Sequence, residues 1–159
     1  MPPRMNKYDY INSIEAEDFL NSWKEKILEI GIAYQEGHDY RGKAKAFIET
    51  HYAFGSGDVL FKPTFTSDVI FRNNFEDALS YFVSGHIPED SGFAIKPWQD
   101  IEASEVNFLV EDGFCAVMGV LNLKSLNSEN QTKIAFTFIL VKDENRIKIK
   151  IHHSSEIKQ

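Results

Sequence analysis

The chain has 159 residues, 43 % of them apolar and thirteen of them Phe, and a formal charge of −7. That length suits one domain able to bury a core without disulfides or metals, and the apolar content argues against disorder. The acidic balance argues against nucleic acid or anionic membrane as a partner, and Cys115, the single cysteine, excludes an internal disulfide and gives no basis for a cysteine-based zinc site.

Residues 1–10 read as a loosely held start, and residues 11–159 as one domain. The first residues lack the apolar centre of a signal peptide, and no window is long and apolar enough to span a bilayer. The expected compartment is therefore the cytoplasm. Phe19, Trp23, Ile27, Ile30 and Tyr34 recur at steps of three and four and predict a helix over 14–36, with Asn12 and Glu15 as its cap and Gly37 as its stop. Asp39 can cap a second helix over 40–53, with Ala44, Phe47, Ile48 and Tyr52 inward. Two short extended pieces follow, Val59–Phe61 and Val69–Arg72. Pro63 makes the first a poor central strand. Residues 74–84 read as a third helix capped by Asn73 or Asn74, burying Phe75, Leu79 and Phe82. Strands are then expected near 93–97, 101–110, 114–124, 132–142 and 146–155, with turns at Glu111–Gly113 and Asp143–Asn145. Helices followed by an antiparallel meander give an α+β fold, its curved sheet wrapped over three helices around a blind pocket.

The stretches Val59–Thr64, Phe71–Arg72, Ala78–Val83, Gly92–Trp98 and His152–Ser155, together with Trp23, Tyr34, Gly37, Asp39 and Tyr40, resemble a small bacterial group of the nuclear-transport-factor-2-like (SnoaL-like) superfamily. The last strand is also similar to that of the calcium/calmodulin-dependent kinase association domain. The resemblance implies the cone fold, also called the cystatin-like roll. It leaves the function open, because such folds serve isomerases, dehydratases, carriers and assembly modules.

Strict alternation along Ile147–Ser155 places His153 with the isoleucines, hence toward the pocket, as a candidate acid/base; His152 falls with the lysines. In ketosteroid-isomerase-like members of the superfamily a catalytic carboxylate stands near the position of Arg72. A guanidinium there departs from that pattern and favours a carboxylate or phosphate ligand. Lys62, Lys96 and Trp98 flank the expected mouth, with Trp98 able to stack on a flat ligand, and Tyr34 and Tyr52 can project hydroxyls from the helices. No phosphate loop, metal-ligating helix or nucleophile elbow occurs, so neither metal nor cofactor is expected. The resulting expectation is a homodimeric cone protein binding a small anionic molecule in an apolar pocket with one cationic end. An isomerase or dehydratase using His153, and an assembly module with Val117, Leu121 and Ile139 on its outer face, are the alternatives.

Overall fold

The computed structural model describes residues 10–158; of the expected loose start, only Tyr10 falls within them. Helix α1 spans Ser13–Gln35. Its capping box is complete: Asn12 Oδ1 accepts from the Glu15 amide at 2.8 Å, and Glu15 Oε1 accepts from the Asn12 amide at 3.3 Å. Phe19, Trp23, Ile27 and Ile30 are buried as expected. Tyr34 is not; it stands 46 % exposed against the edge of the Tyr40 ring. Gly31 and Ala33 face the core there instead. At Gly31 the carbonyl of Ala94 comes so close that a Cβ would lie 3.0 Å from it, so a small residue is needed for the next layer to dock.

Helix α2, Tyr40–His51, begins at the Asp39 cap, and α3, Phe75–Val83, at the Asn74 cap. Strand β1 is Leu60–Lys62, followed after α3 by β2 Trp98–Glu111, β3 Phe114–Ser125, β4 Gln131–Asp143 and β5 Arg146–Glu156. The sheet order is β1-β5-β4-β3-β2. Strands β2 to β5 form the expected antiparallel meander, but β1 pairs with β5 in parallel, so the sheet is mixed. The far side of β1 is closed by the following loop: the Phe61 carbonyl accepts from the Arg72 amide, and Asn73 Oδ1 accepts from the Phe61 amide. This edge position accommodates Pro63.

Two expected extended pieces are not strands. Residues 69–72 belong to a loop tied down by side chains, and Phe93–Ile95 is a short 3-10 turn entered through Gly92 at φ 90. Among the described residues no helix is long and apolar enough to cross a membrane.

The core lies between the three helices and the concave sheet face. Phe61, His152, Phe138 and Val117 are cross-strand partners in one row on that face, and all are buried. Val117 and Leu121 thus point inward, which corrects the expectation that they line an outer interface.

The decisive irregularity is in β5. Ile139 pairs with Ile151 while Leu140 pairs with Ile149, so Lys150 is an extra residue with no partner. Such a bulge reverses the facing of every later residue. Ile149 is fully buried, Ile151 is 37 % exposed, and His152 and Ser154 turn inward. His153 turns out to solvent, contrary to the strict alternation that placed it in the pocket.

Candidate functional site

A small cavity lies where α1, β1, α3, the 3-10 turn and the sheet converge. Phe61, Phe82, Phe93, Leu121 and Ile134 form its apolar walls, and Thr64, Tyr81 and Ser154 contribute hydroxyls. The centre of a water-sized molecule has about 10 Å³ in which to move. That is room for about one water-sized molecule, whereas pockets for ordinary organic ligands measure roughly 300–1,000 Å³.

Ser154 is backed by a buried chain of hydrogen bonds. Trp23 Nε1 donates to Tyr52 Oη at 3.1 Å; Tyr52 Oη lies 2.9 Å from His152 Nδ1; His152 Nε2 lies 3.0 Å from Ser154 Oγ. The indole N–H can only donate, and Nδ1 is the one acceptor within reach of Tyr52 Oη among the described residues, so the Tyr52 proton is directed at Nδ1. The imidazole then carries its proton on Nε2 and donates it to Ser154 Oγ. The hydroxyl hydrogen of Ser154 is left to face the cavity.

Burial, reinforced by the charge of His153, pushes His152 down to about 3, so the ring is neutral near pH 7. Burial likewise raises the Tyr52 and Tyr81 phenols well above their ordinary value. The Tyr81 hydroxyl accepts from the Phe65 amide at 3.3 Å, and Thr64 hydrogen-bonds to it as well. The polar groups bordering the cavity are therefore neutral donors and acceptors.

Of the residues expected to act at the site, only Tyr52 belongs to this chain of hydrogen bonds. Lys62 supports it from outside, donating from Nζ to the Ser154 carbonyl at 2.8 Å, with burial lowering its pKa. Trp98 donates from Nε1 to the Phe93 carbonyl at 2.8 Å and packs on that ring, so it fixes a wall of the cavity. Lys96 sits in an adjoining cleft over the Phe65 ring. Tyr34 and His153 lie away from the cavity.

Arg72 is fully buried, and four of its five N–H donors are engaged within the protein. Nε donates to the Val69 carbonyl, and Nη1 to the Asp77 carbonyl and Asp90 Oδ2; Nη2 donates to Asp90 Oδ1. The expected cationic end of the pocket is therefore a buried ion pair, because a guanidinium so deep needs a carboxylate beside it. Among the described residues no three His, Cys, Asp or Glu side chains converge as metal ligands.

Residues 14–156 match the metal-independent carbonic anhydrase family. The protein of that description from Nostoc sp. (strain PCC 7120 / SAG 25.82 / UTEX 2576) is 31 % identical over 143 residues, covering 84 % of this chain and 68 % of the relative.

The chain belongs to the metal-independent carbonic anhydrase family.

A member of known structure, the cyanobacterial iota-carbonic anhydrase complexed with bicarbonate, superposes with a TM-score of 0.89 at 26 % identity, over 100 % of this chain and 99 % of the other. The fold is also that of a calcium/calmodulin-dependent protein kinase II association domain structure from Xanthomonas campestris, with a TM-score of 0.66 at 18 % identity over 94 % and 91 % of the two chains. Nuclear-transport-factor-2-like proteins share it too. The expected cone fold is thus the fold of this carbonic anhydrase family.

His152, Ser154, Tyr81 and Thr64 are the site residues that sequence reasoning missed. All four fall within or beside the stretches that carried the superfamily resemblance. No residue pattern marks the Lys150 bulge, and without it His152 reads as outward.

Proposed function

We propose that this protein is a carbonic anhydrase that interconverts carbon dioxide and water with bicarbonate and a proton in the cavity below Ser154. The observation that carries this reading is the pairing of a very small apolar cavity with a neutral hydroxyl donor, Ser154, held by His152. Family membership and the bicarbonate complex of a structurally similar member support it.

Carbon dioxide is apolar and matches the Phe-rich walls in chemistry, and the cleft that shares Tyr81 and Phe93 with the cavity supplies room for the reacting water. As the water oxygen bonds to its carbon, a C=O π pair moves onto oxygen as negative charge, and the water's proton passes to solvent water on the side of the cavity that shares Tyr81 and Phe93 with the neighbouring cleft. Ser154 and Tyr81 are placed to donate to that charge in a dry surrounding, where preorganised donors are most effective. His152 acts as a positioning residue: its Nε2–H fixes the Ser154 hydroxyl. The absence of a cation from the cavity lining keeps bicarbonate from being held too tightly to leave.

The test is carbon dioxide hydration followed by stopped flow. Ser154→Ala is expected to lower kcat by about 10²-fold, the usual effect of losing one donor to a developing oxyanion. A wild-type rate no higher than the buffer blank removes the function altogether.

The same reading takes the chain to be a cytoplasmic homodimer. Met118, at 60 % exposed, and Ile151 lie on the outer sheet face as apolar groups such an interface can cover; light scattering checks this, and a monomer refutes it. The isomerase or dehydratase alternative loses support, because its base, His153, faces solvent on the other side of the sheet.

A further inference from the structure

The hydration product is an anion and a proton, and both must leave. The buried chain behind Ser154 ends on the Trp23 indole N–H, which has no lone pair for a proton. Exit by that side is closed. On the other side a cleft lined by Phe65, Glu89, Asp90, Ser91 and Lys96 shares Tyr81 and Phe93 with the cavity.

Three charged residues border this cleft. The Glu89 carboxylate accepts from the Ser67, Asp68 and Val69 amides at 2.7, 2.7 and 2.8 Å, and those bonds hold its pKa below the ordinary value. Asp90 is neutralised by Arg72 and accepts from the Ser80 hydroxyl at 2.6 Å. Lys96 is different. Its ammonium lies 4.9 Å from the Phe65 ring centroid and forms no ion pair among the described residues. Arg72 matches the Asp90 charge and stands 3.9 Å from Glu89, whose carboxylate is turned onto three backbone amides, while the Lys96 ammonium is engaged by no carboxylate among the described residues.

We propose that this cleft is the mouth of the cavity, and that Lys96, propped on the Phe65 ring, guides bicarbonate through it. The inference rests on the carbonic anhydrase reading and adds the route and a specificity-determining residue. A cation at the neck of an apolar cavity raises the local concentration of the anion without affecting neutral carbon dioxide. The ring contact holds the ammonium at the neck while leaving its N–H donors available.

The ratio of kcat/KM in the two directions is fixed by the reaction equilibrium, so the informative quantity is KM for bicarbonate and its salt dependence. Isotope exchange between carbon dioxide and bicarbonate is to be measured with the full chain over a range of ionic strength. In the wild type, KM for bicarbonate should rise with salt as the ammonium is screened. Lys96→Gln should raise that KM about threefold at low salt and flatten its salt dependence. Lys96→Arg should restore both, and the thermal midpoint of Lys96→Gln should match the wild type. Unchanged KM and unchanged salt dependence in Lys96→Gln, with an active wild type, overturn the guiding role alone. A wild type without exchange overturns the function and this inference with it.

Discussion

Tyr52 Oη lies 2.9 Å from His152 Nδ1 although 100 residues separate them in the chain. The contact joins the end of α2 to the inward face of β5. It is shielded by Phe61, whose ring stacks on His152 with centroids 4.7 Å apart. Through it, the imidazole tautomer that serves Ser154 is set by a residue of the helical layer.

Tyr52→Phe removes the proton aimed at Nδ1 and the oxygen that accepts from Trp23. Two buried polar groups are then left unpaired, at about 1–3 kcal/mol each. Urea unfolding should show a loss of about 2–6 kcal/mol for the two groups together, and hydration should slow because the ring is free to take the other tautomer. A Tyr52→Phe protein with wild-type kcat would show that the tautomer does not matter.

Arg72→Ala leaves Asp90 buried without its cation. Breaking a buried pair in this way costs about 3–5 kcal/mol. The loop that carries Asp90 also leads to Phe93, so destabilisation should be accompanied by a weaker site. The denaturant midpoint is the measurement; a value indistinguishable from wild type would mean that Asp90 is relieved by protonation or by water.

Acid should destabilise the fold through its two buried imidazoles. Burial lowers His152 to about 3 and His51 to about 4, from an ordinary 6.5. His51 Nε2 meets Ser22 Oγ and its Nδ1 faces the Phe47 carbonyl, which fixes that ring as well. Below 6.5 the unfolded chain takes up protons that the folded rings refuse. Stability from these groups is thus complete above about pH 7 and declines as pH falls from 6.5 toward 4, by about 1.4 kcal/mol per pH unit for each ring. Unfolding midpoints at pH 7, 6 and 5 test this, and His51→Gln should roughly halve the slope. A flat profile over that range would contradict the burial of both rings in neutral form.

Much of the architecture was legible in the sequence, because local rules act there. The Asn12–Glu15 box, the Asp39 and Asn74 caps, the Phe19–Ile30 stripe and the alternation of β3 and β4 are each specified by residues a few positions apart. Tertiary structure alone decided the site. Strand β1 found β5 in parallel across some ninety positions, and one unpaired residue, Lys150, reversed the facing of the last strand. That reversal put His152 and Ser154 in the cavity and His153 in solvent. It also needed no signature, since any residue can be the extra one in a bulge when the rows on either side pack better with it there. Arg72 was legible as an unusual charge, but its partner Asp90 lies across a folded loop, and only the packed structure shows that the guanidinium is already engaged.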